Sequence, residues 1–397
     1  MFQNIKWHIS GLIKSIITLQ RTICLKTDSK SVLVVSHALN ESGASLVLME
    51  AVELLQKKGF KVVLVSPDVG SLENAYRDMG VTVFCSVYFR KIIRKKLGLK
   101  KWCMVFVNTL IMYDWVEEVN NSPILWWIHE GRTYIKKYVK NISISNKKNL
   151  YTYCVSDWSR KCLANAGFPL QIGLLYYATK DNASKILDNT DNLIYFLGKK
   201  NDSVEEVNKK KIHFILIGSI CKRKRNNDFI DAIQMLSREV LDNSEFTIIG
   251  KKLSGDDEYY IQFLDKLKSS VKSINYIPTV PHNKINEIYK KVNVVVATSD
   301  DDPLPVVVTE GLLNSRCVLL SSNCGQYDLI CDGKNGYTFQ AMDIKELKDK
   351  IEKVYKDRDR IEEIGKAGRK IYDCYFTIDR FNNLLGEEID KIIGRSV

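Results

Sequence analysis

Short runs of apolar and β-branched residues alternate with amphipathic stretches along most of the chain. In the first half, six runs predict buried strands: SVLVVS (31–36), KVVLVS (61–66), VTVFC (81–85), CMVFVN (103–108), ILWWIHE (124–130) and YTYCVS (151–156). Nearly continuous apolar strands are typical of parallel sheets that helices cover on both faces. Residues 45–59 predict an amphipathic helix with Gly59 as its C-cap. The first half is therefore predicted to be a doubly wound α/β domain.

A polar stretch, residues 179–210, interrupts this alternation, which then starts again. Six further runs predict a second sheet: IHFILIG (212–218), EFTIIG (245–250), INYI (274–277), VNVVVATS (292–299), CVLLSS (317–322) and GYTF (336–339). The predicted fold class is α/β, with two doubly wound, Rossmann-like domains facing a central cleft. The predicted boundaries are a basic N-terminal segment at 1–28, a first domain at 29–195, a second domain at 196–375, and a C-terminal helix at 376–397 that could pack back on the first domain.

Length and composition agree with this picture, and the net charge adds to it. A chain of 397 residues is too long for one ordinary core, and 45% hydrophobic with 27% charged residues is typical of a soluble globular protein. The net charge of +12 indicates an anionic partner, which could be nucleic acid, a phosphorylated small molecule or a membrane face. Ten scattered cysteines without zinc-ligand spacing predict reduced, core-filling thiols and a cytoplasmic location.

The N-terminal segment is apolar and basic, but its uncharged stretches, 7–13 and 15–20, are too short to cross a bilayer. Its apolar residues fall near one face of a helix, and no acidic residue precedes Asp28. These features predict a basic amphipathic helix. Such a helix can lie on a membrane surface or pack on its own domain, and the sequence leaves both open.

A basic loop follows the first predicted strand of the second half. In IGSICKRKRNNDFIDAI (217–233), the strand ends near Gly218, the loop contains KRKR (222–225), and a helix begins near Asn227. Backbone N–H groups at a helix start attract anions, and Arg and Lys together suit a diphosphate. The alternative is a solvated charge run, but the position at the carboxyl end of a strand favours an anion site.

An acidic loop follows the strand at 292–299. The segment SDDDPLPVVVTEGLLNSRCVLL (299–320) predicts a helix from near Val306, with Glu310 close enough to its start to point back toward the loop. A carboxylate beside a diphosphate site can accept hydrogen bonds from ribose hydroxyls. The aspartates at 300–302 could instead bind a divalent cation. Because the basic loop already supplies neutralising charge, no metal is expected.

The two loops resemble the donor half of retaining GT-B glycosyltransferases of family four. That family pairs a Gly-x5-Lys loop, matched by Gly218 and Lys224, with an acidic-x7-Glu segment, matched by Asp302 and Glu310. Asp302 stands where the family usually has Glu. The resemblance implies that Lys224 and Arg223 bind the donor diphosphate and neutralise the leaving group. It also implies that Asp302 contacts the donor sugar and that Glu310 holds the nucleotide ribose.

Further donor contacts follow from the same resemblance. The backbone of Leu304, Pro305, Val306 and Val307 would touch the sugar and phosphate, and Lys251 would lie near the base. The family often has Arg after the loop glycine, where this chain has Ser219. Arg223 or Arg225 could take the place of that side chain.

The first half extends the resemblance. The segment SHALNESGASLVLMEAVELL (36–55) resembles the family's first strand, Gly-Ala loop and helix, so Gly43 and Ala44 would let the backbone approach the donor phosphate. His129, in WWIHEG (126–131), resembles the family's acceptor-domain histidine, which implies a catalytic role. A lone histidine is otherwise more often structural, and its position at a strand end favours function. The resemblance covers roughly residues 31 to 376.

The resemblance implies a transferase that moves a sugar from a nucleotide diphosphate sugar to an acceptor hydroxyl without a metal or other cofactor. The acceptor would be a glycan or a lipid-linked glycan. The basic stretch FRKIIRKKLGLKK (89–101) could bind an anionic membrane surface or a lipid-diphosphate acceptor, or be a solvated face. We expect a cytoplasmic enzyme, peripheral at the inner face of the membrane, that builds cell-surface polysaccharide or glycolipid.

Three other functions stay open from the sequence. One is another nucleotide-sugar reaction on the same fold, such as epimerisation, and the second is a noncatalytic sugar-binding homologue. The third and most remote is nucleic-acid binding, which the net charge suggests. Because the sequence contains no helix-turn-helix, RRM or zinc pattern, no nucleic-acid partner is expected.

Overall fold

The structure is a computed structural model that describes residues 2–40, 43–144, 147–168, 171–179, 211–281 and 284–394, with side chains from residue 11 onward. It divides into two compact units. Unit 1 comprises Met1–Ala178 and Asp379–Val397, and unit 2 comprises Thr179–Ile378. Apart from Thr179, the predicted polar stretch at 179–210 lies outside the described residues.

Unit 1 contains a parallel sheet of seven strands. They are β1 Ser31–Val35, β2 Lys61–Ser66, β3 Thr82–Cys85, β4 Met104–Asn108, β5 Ile124–Ile128, β6 Leu150–Cys154 and β7 Ile172–Leu174. Their order is β3-β2-β1-β4-β5-β6-β7, and Val32 of β1 lies opposite Val62 on one side and Met104 on the other. The sequence pattern does not predict β7, because its three residues are only half-buried and one of them is glycine.

Helices cover this sheet. They are α1 Phe2–Cys24, α2 Gly43–Lys57, α3 Leu72–Asp78, α4 Arg90–Gly98, α5 Tyr113–Glu118, α6 Arg132–Tyr138 and α7 Asp157–Asn165. The predicted C-cap of α2 is confirmed: Gly59 has a φ of +83°, which a residue with a side chain rarely adopts. The turn closes with a hydrogen bond of 3.0 Å from the N–H of Phe60 to the carbonyl of Leu55.

The N-terminal helix α1 packs on its own unit through small and polar side chains. It lies against α4 and β3. The Thr18 hydroxyl donates a hydrogen bond of 3.2 Å to the carbonyl of Cys85, and the Ser15 hydroxyl accepts one of 3.3 Å from the N–H of Tyr88. Leu19 also packs against the core of the unit. Five other aliphatic side chains of α1 face outward and are between 41% and 55% exposed: Leu12, Ile13, Ile16, Ile17 and Ile23. Within the described residues, no helix combines the length and apolar character needed to span a membrane.

Unit 2 contains a parallel sheet of six strands. They are β8 Ile212–Ile217, β9 Ser244–Ile249, β10 Asn275–Ile277, β11 Val294–Ala297, β12 Cys317–Ser321 and β13 Tyr337–Phe339, in the order β10-β9-β8-β11-β12-β13. Its helices are α8 Asn226–Gln234, α9 Arg238–Asp242, α10 Asp257–Lys268, α11 Ile285–Lys291, α12 Val306–Leu313, α13 Ile344–Lys356 and α14 Ile361–Tyr375. Phe214 of β8, Phe229 of α8 and Phe246 of β9 lie in its apolar core.

The C-terminal helix α15, Ile378–Gly394, belongs almost entirely to unit 1. Its Phe381 ring stacks on Trp127 of β5 with centroids 5.5 Å apart. Its Asp390 accepts an ion pair of 2.9 Å from Lys58, the residue after α2. The chain therefore returns to the first sheet after completing the second.

Several strands end earlier than the sequence pattern predicts. β5 ends at Ile128 instead of residue 130, β8 at Ile217 instead of 218, and β11 at Ala297 instead of 299. The residues that follow leave the sheet but stay buried, as Glu130 and Ser299 do. Burial and apolar character therefore do not mark the strand end, and the extra residues form loops at the carboxyl edge of each sheet.

The order of strands reverses once in each sheet, between β1 and β4 in unit 1 and between β8 and β11 in unit 2. At such a point the connections after two neighbouring strands leave toward opposite faces of the sheet, which opens a crevice between their first residues. Ligands of open α/β sheets bind in such crevices. In unit 2, the loops that meet there are the basic and the acidic loop.

Candidate functional site

The basic and acidic loops of unit 2 are joined by hydrogen bonds. The loop after β8 passes through a short 3₁₀ turn, Lys222–Lys224, before α8 begins, and the loop after β11 leads to α12. The Thr298 hydroxyl donates a hydrogen bond of 2.8 Å to the carbonyl of Lys224, and the N–H of Asp300 donates one of 2.9 Å to the carbonyl of Arg223. Adjacent strands of a parallel sheet therefore bring together two segments that lie more than seventy residues apart.

Asp302 is the centre of the charged cluster that these loops form. The Lys224 ammonium group is ion-paired with its Oδ2 atom. The Arg223 guanidinium lies 3.6 Å from the same oxygen and donates a hydrogen bond of 2.6 Å to the carbonyl of Asp301. Three of the four residues predicted to be catalytic therefore lie side by side.

The four basic residues of the loop take different positions. Arg223 and Lys224 reach Asp302, whereas Arg225 turns away and forms an ion pair of 2.9 Å with Asp228. Lys222 is exposed, and its backbone N–H bonds to Asp256 at 3.3 Å. Of the two arginines that could take the place of the family's arginine, the structure therefore favours Arg223.

The charges around Asp302 set its protonation state. Burial by itself raises the pKa of a carboxyl group, but the neighbouring Lys224 and Arg223 outweigh burial and hold the pKa of Asp302 below its ordinary value. Asp302 is therefore ionised at neutral pH, and its charge is compensated by two cations. The cluster as a whole carries one excess positive charge, which suits an anionic ligand.

Two glycines allow the loops to approach. The side chain of Lys224 passes over Gly218, where a Cβ atom would lie 3.7 Å from the Lys224 Cε atom. A Cβ atom at Gly250 would lie only 1.8 Å from the carbonyl oxygen of Gly218, which no side chain can tolerate. Lys251 follows and is exposed, and its carbonyl accepts a hydrogen bond of 2.9 Å from the N–H of Ile220.

Helix α12 starts where the acidic loop ends. Val306 and Val307 form its first turn and are half-buried, while Leu304 and Pro305 before it are buried. Gly218, Lys224, Ser299 and Val307 line one small hollow. The backbone N–H groups at the start of α12 therefore lie close to the charged cluster, as the sequence predicts.

Glu310 is buried in the second turn of α12. The hydroxyl of Tyr289 donates a hydrogen bond of 2.8 Å to its Oε2 atom. Burial and the nearby carboxylate raise the pKa of Tyr289 well above its ordinary value, so that its hydroxyl keeps the proton it donates. Sequence reasoning missed Tyr289, because it stands on a different helix, α11, and nothing in its local sequence marks it.

At the carboxyl edge of the sheet in unit 1, His129 follows β5. Its ring packs against Trp127, with centroids 4.4 Å apart, and stacks on Tyr177 at 6.2 Å. Burial, together with the nearby His37, lowers the pKa of His129 to about 3. Its imidazole is therefore neutral at physiological pH and can donate or accept a hydrogen bond, but it does not supply a proton as an imidazolium would.

His37, which follows β1, is a second neutral imidazole that sequence reasoning missed. Burial lowers its pKa as well. Its Nδ1 atom and the Nε2 atom of His129 are buried and make no hydrogen bond to any residue that the structure describes. Buried polar atoms without partners are uncommon and often mark functional positions. The signal available in the sequence is the position of His37 immediately after a strand.

Glu130 stabilises the turn next to His129. Its carboxylate accepts hydrogen bonds from the N–H groups of Leu110 at 2.8 Å and His129 at 3.0 Å. Burial raises its pKa to about 7, although these hydrogen bonds oppose the shift. Glu130 thus ties the end of β5 to the loop after β4 and orients the backbone that carries His129.

The Gly-Ala pair lies at the start of α2. Gly43 is exposed, and a Cβ atom there would meet no other atom within 4 Å. The carbonyl of Ala44 accepts a hydrogen bond of 3.1 Å from the side-chain amide of Asn108 at the end of β4. Gly43 and Ala44 therefore lie at the switch point of the first sheet, as Lys224 and Asp302 do in the second.

Within the described part of the chain, no group of three His, Cys, Asp or Glu side chains could hold a metal ion. Asp300 instead accepts hydrogen bonds from the side-chain amide of Asn323, at 2.8 Å to its carbonyl and 3.1 Å to its carboxylate. Metal-independence stays a prediction. Every cysteine is a free thiol, and most are buried.

Family comparisons match both halves of the chain. Residues 199–371 match the model described as glycosyl transferases group 1, and residues 28–166 match the model described as glycosyl-transferase family 4. The first contains the basic and acidic loops of unit 2, and the second contains Gly43, Ala44 and His129.

Individual relatives are more distant. The chain is 27% identical over 122 residues to the sulfoquinovosyl transferase SQD2 of Arabidopsis thaliana, a match that covers 30% of this chain and 24% of that protein. The structure of the Anabaena protein HepE in complex with UDP-glucose is similar, with a TM-score of 0.70 and 15% identity over 91% of this chain and 99% of that one. The structure of sucrose-phosphate synthase from Thermosynechococcus elongatus is also similar. Its TM-score is 0.67, with 14% sequence identity over 92% of this chain and 100% of that one. At these identities the structural matches establish the GT-B fold.

Proposed function

Because the chain is a glycosyltransferase that belongs to the group 1, family 4 enzymes of GT-B fold, we propose that it transfers a sugar from a nucleotide diphosphate sugar with retention of anomeric configuration. The observation that carries the proposal is the cluster of Lys224, Arg223 and Asp302 at the switch point of the second sheet. A uridine diphosphate sugar is the first donor to test, since HepE is described in complex with UDP-glucose.

Lys224 and Arg223 stabilise the departing diphosphate. Bond cleavage at the anomeric carbon leaves an additional negative charge on the diphosphate, and cations fixed in advance by the protein stabilise that charge without reorganising. The ion pair between Lys224 and Asp302 keeps the ammonium group over Gly218. A diphosphate competes with Asp302 for this cation, which leaves the Asp302 carboxylate to interact with the donor sugar.

Glu310 binds the nucleotide ribose. Its carboxylate accepts hydrogen bonds from ribose hydroxyls, and the hydrogen bond from Tyr289 fixes its orientation. The backbone from Leu304 to Val307 donates to the sugar and phosphate, and Lys251 lies near the base. Contact of Gly43 and Ala44 with the donor phosphate stays a prediction from the family resemblance.

The acceptor hydroxyl attacks the anomeric carbon of the donor sugar from the same face as the departing diphosphate. Asp302 is ion-paired and ionised, which supports a role in stabilising positive charge on the sugar. We assign the proton of the acceptor hydroxyl to the leaving phosphate itself, which lies on the same face. A catalytic role for His129, whose imidazole is neutral, stays a prediction.

A thermal-shift screen with UDP, GDP, ADP and CMP tests the donor site. The matching diphosphate raises the melting temperature of the protein, since a ligand that binds only the folded state stabilises it. Lys224→Ala removes most of this shift, while Lys222→Ala, which removes an exposed charge two residues away, preserves it. CMP, a monophosphate, is the control: if none of UDP, GDP and ADP raises the melting temperature, the proposal is wrong.

The acceptor is proposed to be a glycan or lipid-linked glycan of the cell surface, reached at the inner face of a membrane. The support comes from α1 and α4, which contact each other. We call their exposed residues the α1–α4 surface: Leu12, Ile13, Ile16, Ile17, Ile23, Lys95 and Lys96. Five exposed aliphatic side chains on one helix are unfavourable in water, but they suit a bilayer interface. The lysines complement anionic lipid headgroups.

Vesicle flotation tests the membrane proposal. The protein binds vesicles that contain anionic phosphatidylglycerol and is released as salt increases. Changing Ile13 and Ile16 to Asn weakens binding. The same substitution at Ile261 and Val271, which are even more exposed and lie on unit 2, has no effect. Equal binding of the two double variants, or self-association of the protein with no vesicle binding, contradicts the proposal.

A further inference from the structure

A cavity of about 350 Å³ lies at the carboxyl edge of the sheet in unit 1. Residues that follow three neighbouring strands line one side of it: His37 after β1, Pro67 after β2 and Ser86 after β3. The first turns of α4 line the other side. Its volume is within the range of small-molecule sites. None of the residues assigned to the donor site lines it.

The charge of the lining is unbalanced. Arg90, Lys91 and Arg94, three cations from α4, face a single carboxylate, Asp114. Arg94 is ion-paired with Asp114, and Arg90 pairs at 2.8 Å with an exposed aspartate outside the lining. Lys91 has no carboxylate within 4 Å among the residues that the structure describes. The lining itself therefore holds more cations than carboxylates beside its apolar walls, and Lys91 is the cation without a carboxylate partner in the described part of the chain.

Two buried nitrogens of the lining lack hydrogen-bond partners within the described residues. The Nδ1 atom of His37 makes no hydrogen bond to any described residue. The same holds for the Nε atom of Arg94, whose nearest carboxylate oxygen, on Glu118, lies 3.8 Å away. A buried donor without a partner costs free energy, and a ligand with several acceptor oxygens recovers it.

The apolar part of the lining restricts the class of ligand. Ile93, Met112 and Trp115 face the same cavity as the cations. A free inorganic anion gains nothing from contact with these apolar side chains. An organic phosphate can pack its carbon skeleton against them and place its oxygens among Arg90, Lys91 and Arg94. Arg and Lys together are well suited to phosphate oxygens.

We propose that this cavity binds the phosphate group of an organic phosphate, and that the acceptor sugar is presented on that phosphate. That this ligand is the acceptor rests on the proposed transferase function. That the cavity binds phosphate does not depend on that function. The phosphate could belong to a lipid carrier or to a soluble sugar phosphate, and both share the same recognition chemistry.

Calorimetric titration of the full chain tests the proposal with hexyl phosphate, glucose 1-phosphate and hexanol. At least one of the two phosphates binds more tightly than hexanol. Replacing Arg90 and Lys91 by Gln weakens this binding by at least about tenfold, the loss expected for charge-assisted hydrogen bonds. Replacing Lys95 and Lys96 by Gln changes it less than about twofold, although both pairs stand on α4 and remove the same charge.

The two phosphates distinguish the sources. Preference for hexyl phosphate assigns the site to a lipid-borne phosphate, and preference for glucose 1-phosphate assigns it to a soluble one. The proposal is wrong if neither phosphate binds better than hexanol. It is also wrong if the double variant at Arg90 and Lys91 and the double variant at Lys95 and Lys96 weaken binding equally. Phosphate attraction would then be a property of the whole helix α4.

Nucleotide binding by the Arg90 and Lys91 variant separates this proposal from the transferase proposal. The variant retains the thermal shift with the matching nucleoside diphosphate, because its substitutions lie outside the donor residues. If nucleotides stabilise the protein but phosphates do not bind the cavity, the cavity proposal alone fails. If phosphates bind as expected but no nucleotide does, the transferase proposal fails and the phosphate site remains.

Discussion

The carboxyl edges of the two sheets have the same topology but opposite chemistry. In unit 2 the charged groups at the switch point bind one another: Lys224 and Arg223 surround Asp302, and Tyr289 bonds to Glu310. In unit 1, His37 and His129 are neutral and leave buried nitrogens without partners among the described residues. A cavity whose lining holds more cations than carboxylates adjoins His37.

This difference indicates a different relation to ligand at each edge. The charged side chains at the edge in unit 2 are already paired, so a donor binds there by exchanging existing ion pairs. The side-chain amides of Asn226 and Asn227, at the start of α8, each also keep one buried atom without a partner among the described residues. At the edge in unit 1, the groups available to a ligand are the buried nitrogens of two neutral histidines. This division suits an enzyme in which one edge holds the reacting group and the other edge accommodates the second substrate.

The largest effect is expected from Lys224→Ala. Loss of one fixed cation from a site where negative charge develops reduces the rate of nucleoside diphosphate release by on the order of a thousandfold. Lys222→Ala, at an exposed position of the same loop, leaves the rate within about twofold. Equal rates for the two variants in a coupled nucleotide assay would contradict the assignment of charges in unit 2.

A smaller effect is expected from crowding the two loops. Gly250→Ala places a Cβ atom against the carbonyl oxygen of Gly218, so the loop beneath Lys224 must shift. We expect a loss of about 1–3 kcal/mol in the free energy of unfolding, measured by chemical denaturation. Gly394→Ala, where a Cβ atom meets nothing within 4 Å, is the control. A stability loss no larger than that of the control would show that this close approach is not required.

Substitutions at Glu310 and Tyr289 are expected to have a still smaller effect, on donor binding more than on the chemical step. Glu310→Gln removes a charged acceptor and raises the KM for the donor about tenfold, with a smaller change in kcat. Tyr289→Phe keeps the carboxylate but loosens its orientation, so its KM rises less. A fall in kcat at constant KM for both variants would place Glu310 at the reacting centre instead of the ribose.

The smallest effect concerns the neutral histidines of unit 1. The pKa of His129 is about 3 in the folded protein against an ordinary value of 6.5, so the unfolded chain takes up the proton first. His129 therefore costs the fold about 1 kcal/mol between pH 6.5 and pH 5.5, and more at lower pH. His129→Asn makes the stability less sensitive to acid in this window. An unchanged slope of unfolding free energy against pH would show that His129 is protonated in the folded state.

The sequence predicts the sheets well because their strands are buried on both faces and show as apolar runs. It does not predict β7, whose three residues are half-buried, nor the early ends of β5 and β11, where burial continues beyond the sheet. The family resemblance assigns Lys224 and Asp302 to one donor site, and the structure brings them together because the adjacent strands β8 and β11 end at one edge.

Other parts of the site depend on contacts between distant segments. Tyr289 reaches Glu310 from another helix, and the division of the basic loop between Asp302 and Asp228 follows from how the loop turns. The N-terminal helix shows the same limit. Its pattern predicts an amphipathic helix, but only packing reveals that Ser15 and Thr18 face inward and that five of the aliphatic residues face outward.

The anomeric configuration of the first product tests the central claim most directly. The protein is incubated with the nucleotide sugar whose diphosphate stabilises it, and the anomeric ¹³C signal is followed by NMR before the free sugar re-equilibrates. The account predicts that the nucleoside diphosphate is released, that the transferred or hydrolysed sugar keeps the configuration of the donor, and that Lys224→Ala abolishes both signals. An inverted first product, or release that persists in Lys224→Ala, would contradict it.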